Sequence, residues 1–240
     1  MNTTFTTQVE LPGQCCVAEG PIDHTGMYVM HHAIRRDLAN LVAATAQTPP
    51  GDRTTWENLA HYWHLFAELL HHHHTAEDDH YWPVLADAAN RRGTESDRSV
   101  VAAMAAEHCA IDPVLAACRA GFQDVQAQPS RERVDVLHQR LEVARGVISD
   151  HMAHEERDAL TLVQRVVSPQ EYAQIERGIG KSYPLRVVRT LVPWAFHGLP
   201  ETVGDDLLAK AGLPERMLLR LGRRSFERRH AAAFRYVSDC

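Results

Sequence analysis

The 240-residue sequence lacks several features that mark common protein classes. No stretch reaches the roughly 18 charge-free apolar residues of a spanning helix, so we expect no transmembrane segment. The five cysteines form no C-x-x-C pair and are odd in number, which argues against a zinc ribbon and a disulfide framework. No P-loop, dinucleotide-binding glycine motif or Ser-His-Asp spacing occurs. The polar N-terminus also lacks the order of a secretory signal, and we therefore expect a cytoplasmic protein.

Strand patterns are scarce too, and the apolar residues of the first 165 positions recur at helical spacing. With 45% hydrophobic and 23% charged residues, the chain has the composition of a globular protein. Proline and glycine breaks at 49–51, 92–94 and 128–130 separate four long helices by short links. The sequence therefore predicts an all-α protein built on an up-down-up-down four-helix bundle with a C-terminal helical extension.

Local signals predict where some helices begin. Thr54 with Glu57 has the spacing of a capping box, which would open the second helix. The segment 168–171 combines a serine cap, a proline at the first position and a glutamate at the third, and it predicts a fifth, short helix. Two further short helices are expected at 205–221 and 223–237, separated at a glycine.

Charge divides the chain unevenly. Residues 1–180 carry a net charge of −11, whereas residues 181–240 carry +5. We expect the basic tail to dock on the acidic body, the alternative being an anionic partner such as lipid; no nucleic acid partner is expected. Trp194 in the tail is expected to pack against the body, with a membrane-interface role as the alternative. The predicted divisions are an N-terminal arm at 1–22, the bundle at 23–167 and the basic extension at 168–240.

Histidine is what the sequence has in excess, with 16 residues, as many as Phe, Tyr and Trp together. Imidazole is the commonest metal ligand in proteins. Each long helix places one histidine on its apolar face, and two of them, His73 and His151, are followed at i+4 by Glu77 and Glu155. Burying two carboxylates and four imidazoles together costs many kcal/mol unless a cation compensates the charge. A donor set without thiolate suits iron or manganese better than structural zinc, and we expect iron.

Several segments taken in order carry a family resemblance. They are MHHAIRR at 30–36, HHTAED at 73–78, YWP at 81–83, EH at 107–108 and HMAHEE at 151–156. From about 24 to 165 the chain resembles the hemerythrin family, which carries the HHE cation-binding domain. The resemblance implies a non-heme centre of two iron ions, Fe2+ or Fe3+ with an oxo or hydroxo bridge as an option, that binds oxygen, peroxide or nitric oxide. The ligands it implies are His31, His73, Glu77, His108, His151 and Glu155, with both glutamates as bridges.

The third helix departs from the family pattern. Oxygen-carrying members have two histidines there, one turn apart, whereas Met104 and Asp112 occupy the positions one turn before and after His108. The missing ligand would open one iron and favour reactivity over reversible carriage. His80 is expected to hydrogen-bond one of the ligands or to replace the missing ligand itself. Met104 is the other candidate for a supporting residue or an extra ligand. His154 is expected at the edge of the site, where it could move protons, or at the surface.

The remaining histidines of the run at 71–74 are expected to point away from the face of His73. The sequence thus predicts a di-iron protein that binds and reacts with oxygen, hydrogen peroxide or nitric oxide, in peroxide decomposition or in a response to oxidative or nitrosative stress. One alternative is a redox sensor or iron store. Another is a di-iron oxygenase whose residues 181–240 form a lid over an organic substrate. The sequence identifies no catalytic residue, electron donor or oligomeric state, so enzymatic activity stays open.

Overall fold

The computed structural model describes residues 5–237, so residues 1–4 of the predicted arm and 238–240 of the extension lie outside the described part. Within that part the chain is helical, without a strand, and one isolated bridge pairs Thr6 with Gly20. The all-α prediction is confirmed. The helices are α1 (Thr25–Gln47), α2 (Arg53–Ala76), α3 (Trp82–Arg92), α4 (Glu95–Ala127), α5 (Arg131–His154), α6 (Leu160–Val166), α7 (Pro169–Ser182), α8 (Leu185–Phe196), α9 (Glu201–Lys210) and α10 (Leu213–Ala233).

Two π-helical turns join neighbouring helices without a break. Glu77–Tyr81 connects α2 to α3, and Glu155–Ala159 connects α5 to α6. Such turns insert an extra residue into the helical repeat and are frequent at functional sites. Each of these turns begins at one of the two glutamates that the sequence analysis selected as bridges. Pro83 is the second residue of α3 and directly follows the first π-helical turn.

The long helices pack around one core. Helix α1 contacts α2 and α5, and α4 contacts the same two helices. Ile34, Leu70, Ile111 and Ile148 come from these four helices, and none is more than 1% exposed. Their burial brings the inward histidines of all four helices into an apolar, water-excluding environment.

One of the two predicted capping boxes is present in the structure, and the other is absent. The capping box that opens α7 is present as predicted, because Ser168 and Glu171 each accept a hydrogen bond from the other's backbone N–H. The predicted capping box of α2 was wrong. Asp52, rather than Thr54, caps this helix, and its carboxylate accepts a hydrogen bond from the backbone N–H of Thr55. Aspartate is a stronger N-cap than threonine, which explains why the helix begins two residues earlier.

The tail helices are divided differently from the prediction. Helix α9 ends at Lys210, and α10 begins after Gly212 and continues through Gly222. A Cβ atom on Gly222 would lie 2.9 Å from Cγ of Pro193 in α8. This glycine therefore permits two helices to approach closely, and the predicted break there was wrong.

Buried groups connect the tail to the long helices. Helix α8 contacts α1, and α10 contacts both α2 and α8. Trp194 is fully buried, as expected, and its indole N–H donates to a carboxylate oxygen of Asp37 at 2.6 Å. The hydroxyl of Tyr62 donates to the same oxygen at 3.0 Å. By contrast, the ion pair between Arg186 and Glu68 is long, at 3.8 Å, and exposed. Buried contacts, more than the charge difference, therefore fasten the tail.

Helix α4 is long and apolar enough to cross a membrane, judged by length and composition among the described residues. One such helix is weak evidence, because a core helix of a soluble protein passes the same test. This helix packs against α2 and α5 and carries the buried residues Met104, His108 and Ile111. The expected absence of a transmembrane segment stays a prediction.

Candidate metal centre

The four long helices bring the predicted ligands to one place. Helices α1, α2, α4 and α5 each contribute one histidine, and the two π-helical turns contribute the glutamates. All six side chains are buried, with none more than 7% exposed. They are His31, His73, Glu77, His108, His151 and Glu155.

A first donor group is formed by α1, α2 and the first π-helical turn. One donor atom each of His31, His73 and Glu77 lies within 4.8 Å of the others. Nε2 of His73 is 3.2 Å from Oε1 of Glu77, and Nε2 of His31 is 3.1 Å from Oε2 of Glu155. This group offers two imidazoles and a carboxylate to one cation, with the second carboxylate beside it.

A second donor group lies next to the first. Donor atoms of His74, His108 and His151 also lie within 4.8 Å of one another, and Nε2 of His108 is 3.2 Å from Nε2 of His151. Oε2 of Glu77 is 3.5 Å from Nε2 of His108, and Oε2 of Glu155 is 3.9 Å from Nε2 of His151. Both glutamates thus face both groups, which is the placement that two bridging carboxylates need.

His74 was expected to point away from the centre, and that expectation was wrong. Its side chain is 9% exposed and stacks on His108, with ring centroids 4.1 Å apart. Neighbouring residues of a helix project about 100° apart, so His73 and His74 cannot serve one cation well but can serve two that lie side by side. Two features of the sequence together could have indicated His74. The histidine run at 71–74 offers a further imidazole, and the third helix lacks its second histidine.

Carboxylates outside the centre orient three of the imidazoles. In each case Nδ1 is hydrogen-bonded to a carboxylate, which leaves Nε2 directed at the centre. Such outer bonds fix the tautomer and the ring orientation of metal ligands. Sequence reasoning missed these partners, although each directly neighbours a predicted ligand in the chain. The pairs are His31 with Glu156 at 2.8 Å, His108 with Asp78 at 2.9 Å and His151 with Glu107 at 2.9 Å.

Two of these carboxylates, Glu107 and Glu156, contact further groups. Nδ1 of His154 lies 2.7 Å from the second oxygen of Glu107, so His154 stands at the edge of the site where the sequence placed it. Glu156 accepts hydrogen bonds from Arg35 at 2.8 Å and from the backbone N–H of Cys15 at 2.7 Å. The N-terminal arm thereby contacts the carboxylate that orients the imidazole of His31.

His80 and Met104 were expected near the third-helix position that lacks a histidine. His80 lies elsewhere, and the role of Met104 stays untested. The ring of His80 packs against Gly178 of α7, where a Cβ atom would come within 2.8 Å of it. Neither donor group among the described residues includes His80, whereas His74 belongs to the second group. Met104 is fully buried one turn before His108, and contact of its thioether with a metal stays a prediction.

The carboxylates at the centre lack hydrogen-bond donors. Within the described residues, both oxygens of Glu77 and both of Glu155 are buried without a hydrogen bond, and so is Nε2 of His31. A buried carboxylate without partners costs several kcal/mol. Cations between the two donor groups would bond these oxygens and remove that cost. The donor set therefore fits metal ions.

The pKa values at the centre show the same cost of burying two carboxylates together. Burial and the charge of Glu155 raise the pKa of Glu77 well above its ordinary value. Burial would raise the pKa of Glu155 as well, but the positive charge of the neighbouring His31 lowers it to about 2. Burial and neighbouring imidazoles lower the pKa of His73 to about 3 and that of His74 well below its usual range. Both histidines are therefore neutral, which is the form that binds metals.

The fold and the site define a class of protein, in which a buried centre of histidines and glutamates lies between long helices. A family model, the hemerythrin HHE cation-binding domain, matches residues 25–163, more than half of the chain. The chain belongs to the hemerythrin HHE family, and its membership implies a cation-binding site. No curated protein and no solved structure matches the chain significantly.

Proposed function

We propose that the protein holds two iron ions side by side in an up-down-up-down bundle. The first member of the bundle is α1, the second is α2 continued by α3, the third is α4, and the fourth is α5 continued by α6. The supporting observation is the row of buried, unpaired carboxylate oxygens between two groups of imidazoles. Histidine and carboxylate without thiolate suit iron. We assign the bundle to residues 23–167 and the extension to 168–240. The proposed ligands are His31 and His73 for one ion, His74, His108 and His151 for the other, and Glu77 and Glu155 for both.

We further propose that this centre binds and reacts with oxygen, hydrogen peroxide or nitric oxide in the cytoplasm. Iron, when bound, supplies redox chemistry with up to two electrons per centre. The chain excludes water with buried aliphatic side chains and holds the cation spacing through Glu77 and Glu155. His154, whose side chain is 24% exposed, contacts Glu107 and lies 3.4 Å from Asp158, and these groups can carry a proton between the edge of the site and solvent.

The two donor groups are unequal, and this favours reactivity over simple carriage. One cation would have three imidazoles, whereas the cation at His31 and His73 would have two. Fewer protein ligands leave more coordination positions for an external molecule. The same side of the centre, at His73 and Glu77, lines a cavity.

A sensor or storage role is the first alternative. His32 follows a proposed ligand and contacts the carbonyl oxygen of Gly198 at 3.2 Å, so α1 links the centre to the tail. In a sensor, a change of iron oxidation state would alter this packing. Identical protease sensitivity of the tail in the reduced and oxidised protein would exclude that role. The second alternative, an oxygenase with an organic substrate, is favoured by the cavity.

Metal analysis tests the proposed centre. We expect about two iron ions per chain in protein prepared without a histidine tag. His73→Ala should remove at least half of the iron, because this imidazole belongs to the first donor group. His71→Ala is the matched control, since His71 is exposed on the same helix and should leave the content unchanged. Less than about one iron per chain, together with no loss in His73→Ala, would contradict the proposal.

Peroxide consumption by the iron-loaded protein then separates enzyme from carrier. A reactive centre should consume peroxide over many turnovers, whereas a carrier should show only a spectral change on addition of oxygen or nitric oxide. Iron-loaded protein that does neither would contradict the proposed reactivity.

A further inference from the structure

A cavity of about 530 Å³ adjoins the candidate centre. It lies between α1, the first π-helical turn, α7 and α8, and it extends from the exposed Glu176 and Glu215 to the buried His73 and Glu77. Pockets of about 300–1,000 Å³ hold small organic ligands. A diatomic molecule or peroxide needs little more space than a water molecule, whose share of the liquid is about 30 Å³. The cavity is therefore far larger than the small ligands of the centre require.

Apolar side chains make most of the cavity wall. Met27 and Met30 face it from α1, and Ile179, Val188 and Val192 line it from α7 and α8. A ligand that covers these side chains gains free energy in proportion to the apolar area removed from water. The wall therefore favours an organic molecule with an apolar body.

The charged residues of the cavity all have the same sign. Asp23, Glu176 and Glu215 line it together with Glu77, whereas no lysine or arginine lines it among the described residues. An anionic ligand would meet only like charges at close range. A neutral or cationic ligand meets no such cost, so fatty acids and other carboxylates are disfavoured.

A hydroxyl group at the inner end lacks a partner. Tyr81 lines the cavity, is 1% exposed, and its hydroxyl has no hydrogen bond within the described residues. Buried tyrosine hydroxyls usually find a partner, so this one can serve a polar atom of a bound molecule. It belongs to the same π-helical turn that begins at Glu77.

Helices α7 and α8 form the outer wall of the cavity, and this wall does not belong to the domain that the family model matches. The family match ends at residue 163, whereas α7 and α8 begin at Pro169 and Leu185. The cavity is thus completed by a segment outside the matched domain.

We propose that this cavity binds an apolar organic molecule that is uncharged or carries an amine, and holds it beside the metal centre. The apolar body contacts α7 and α8, an amine faces Asp23 and Glu176, and the hydroxyl of Tyr81 bonds a polar atom near Glu77. Binding itself depends on the cavity alone. The placement of this molecule beside a metal rests on the proposed iron centre.

Fluorescence titration of the full-length protein with N-phenylnaphthylamine, a neutral apolar probe, tests the binding. We expect saturable enhancement, reversed by decylamine and decanol, with decanoate at least tenfold weaker as a competitor. Val192→Trp fills the cavity and should weaken probe binding at least tenfold. Leu185→Trp is the matched control, because Leu185 is on the same helix but 69% exposed. Ile179→Trp fills the cavity from α7 should Val192→Trp fail to fold.

Three results would overturn the proposal. They are equal probe affinity of the filled and control variants, displacement by decanoate as strong as by decylamine, and unchanged absorption of the iron-loaded protein on addition of decylamine. The last would remove the placement beside the centre. Iron content is measured on the same samples. Full iron without probe binding overturns the cavity proposal alone, and probe binding without iron overturns the metal proposal alone.

Discussion

At the scale of single residues, the neighbours His73 and His74 divide the imidazoles of α2 between the two donor groups. Their side chains enter different donor groups because they leave the helix in different directions. His74 supplies to the second group the imidazole that the third helix lacks.

Removing the His74 imidazole should therefore affect one cation more than the other. We expect His74→Ala to lower the iron content from about two to about one per chain, because loss of one of three imidazoles weakens the second site at least tenfold. Metal analysis after dialysis against a weak chelator measures this change. The exposed His71→Ala should retain its iron through the same dialysis. Full retention of iron by His74→Ala would contradict the assignment of this residue as a ligand.

At the scale of elements, the start of α7 is bound to the end of α3. Glu171 accepts a hydrogen bond from the backbone N–H of Ser168 at 2.7 Å, and it pairs with Arg91 at 2.7 Å and Arg92 at 2.6 Å. One carboxylate thus caps a helix and joins two helices. The capping hydrogen bond and the arginines lower its pKa to about 2. Because α7 forms a wall of the cavity, this contact also positions that wall.

The lowered pKa of Glu171 predicts a pH dependence of stability. A carboxyl group with a lower pKa in the folded state stabilises the protein above its usual pKa of 4.5, and this contribution disappears as the pH falls toward about 2. Glu171→Gln should therefore lower the free energy of unfolding by up to about 1 kcal/mol at neutral pH and by less in acid. Urea unfolding at several pH values measures the difference.

Glu95→Gln is the control for this variant. Glu95 also begins a helix, but its side chain is 85% exposed and pairs only locally with Arg98. Its replacement should change stability little at any pH. A loss in Glu171→Gln that is the same at neutral and acid pH would show that the charge is not responsible.

At the scale of the whole molecule, a buried aspartate connects the tail to the long helices. Asp37 on α1 is fully buried and accepts hydrogen bonds from Arg36, Tyr62 and the indole of Trp194. Only Trp194 among these donors comes from the tail. Arg36 of α1 also donates to the backbone carbonyls of Trp194 and His197. The position of α8, and with it the outer wall of the cavity, thus depends on these hydrogen bonds and on the packing around them.

Loss of that hydrogen bond should loosen the tail. We expect Trp194→Phe to lower the free energy of unfolding by about 1–3 kcal/mol more than Trp63→Phe, since it removes a donor from a buried carboxylate. Trp63 is the matched control because it is buried, while its indole N–H has no hydrogen bond within the described part of the chain. Urea unfolding of both variants measures the difference. Equal losses would mean that the hydrogen bond from Trp194 to Asp37 does not stabilise the tail.

The sequence by itself determined the helical class and most of the centre. Apolar residues at helical spacing, short proline and glycine links and the capping box at Ser168 are local signals, and helices form from local interactions. The i+4 spacing of His73 with Glu77 and of His151 with Glu155 placed each pair on one face of its helix. Family membership then followed from the same residues.

Only the tertiary structure decided the rest. Helical periodicity could not assign His74 to the centre, because it assumes one inward face, whereas His73 and His74 reach two donor groups in different directions. The carboxylates on Nδ1 of His31, His108 and His151 come from other helical elements, so only the packing of those elements brings them to the imidazoles. The cavity depends on how α7 and α8 pack on α1, and such contacts between segments far apart in the chain leave no periodic signal in the sequence.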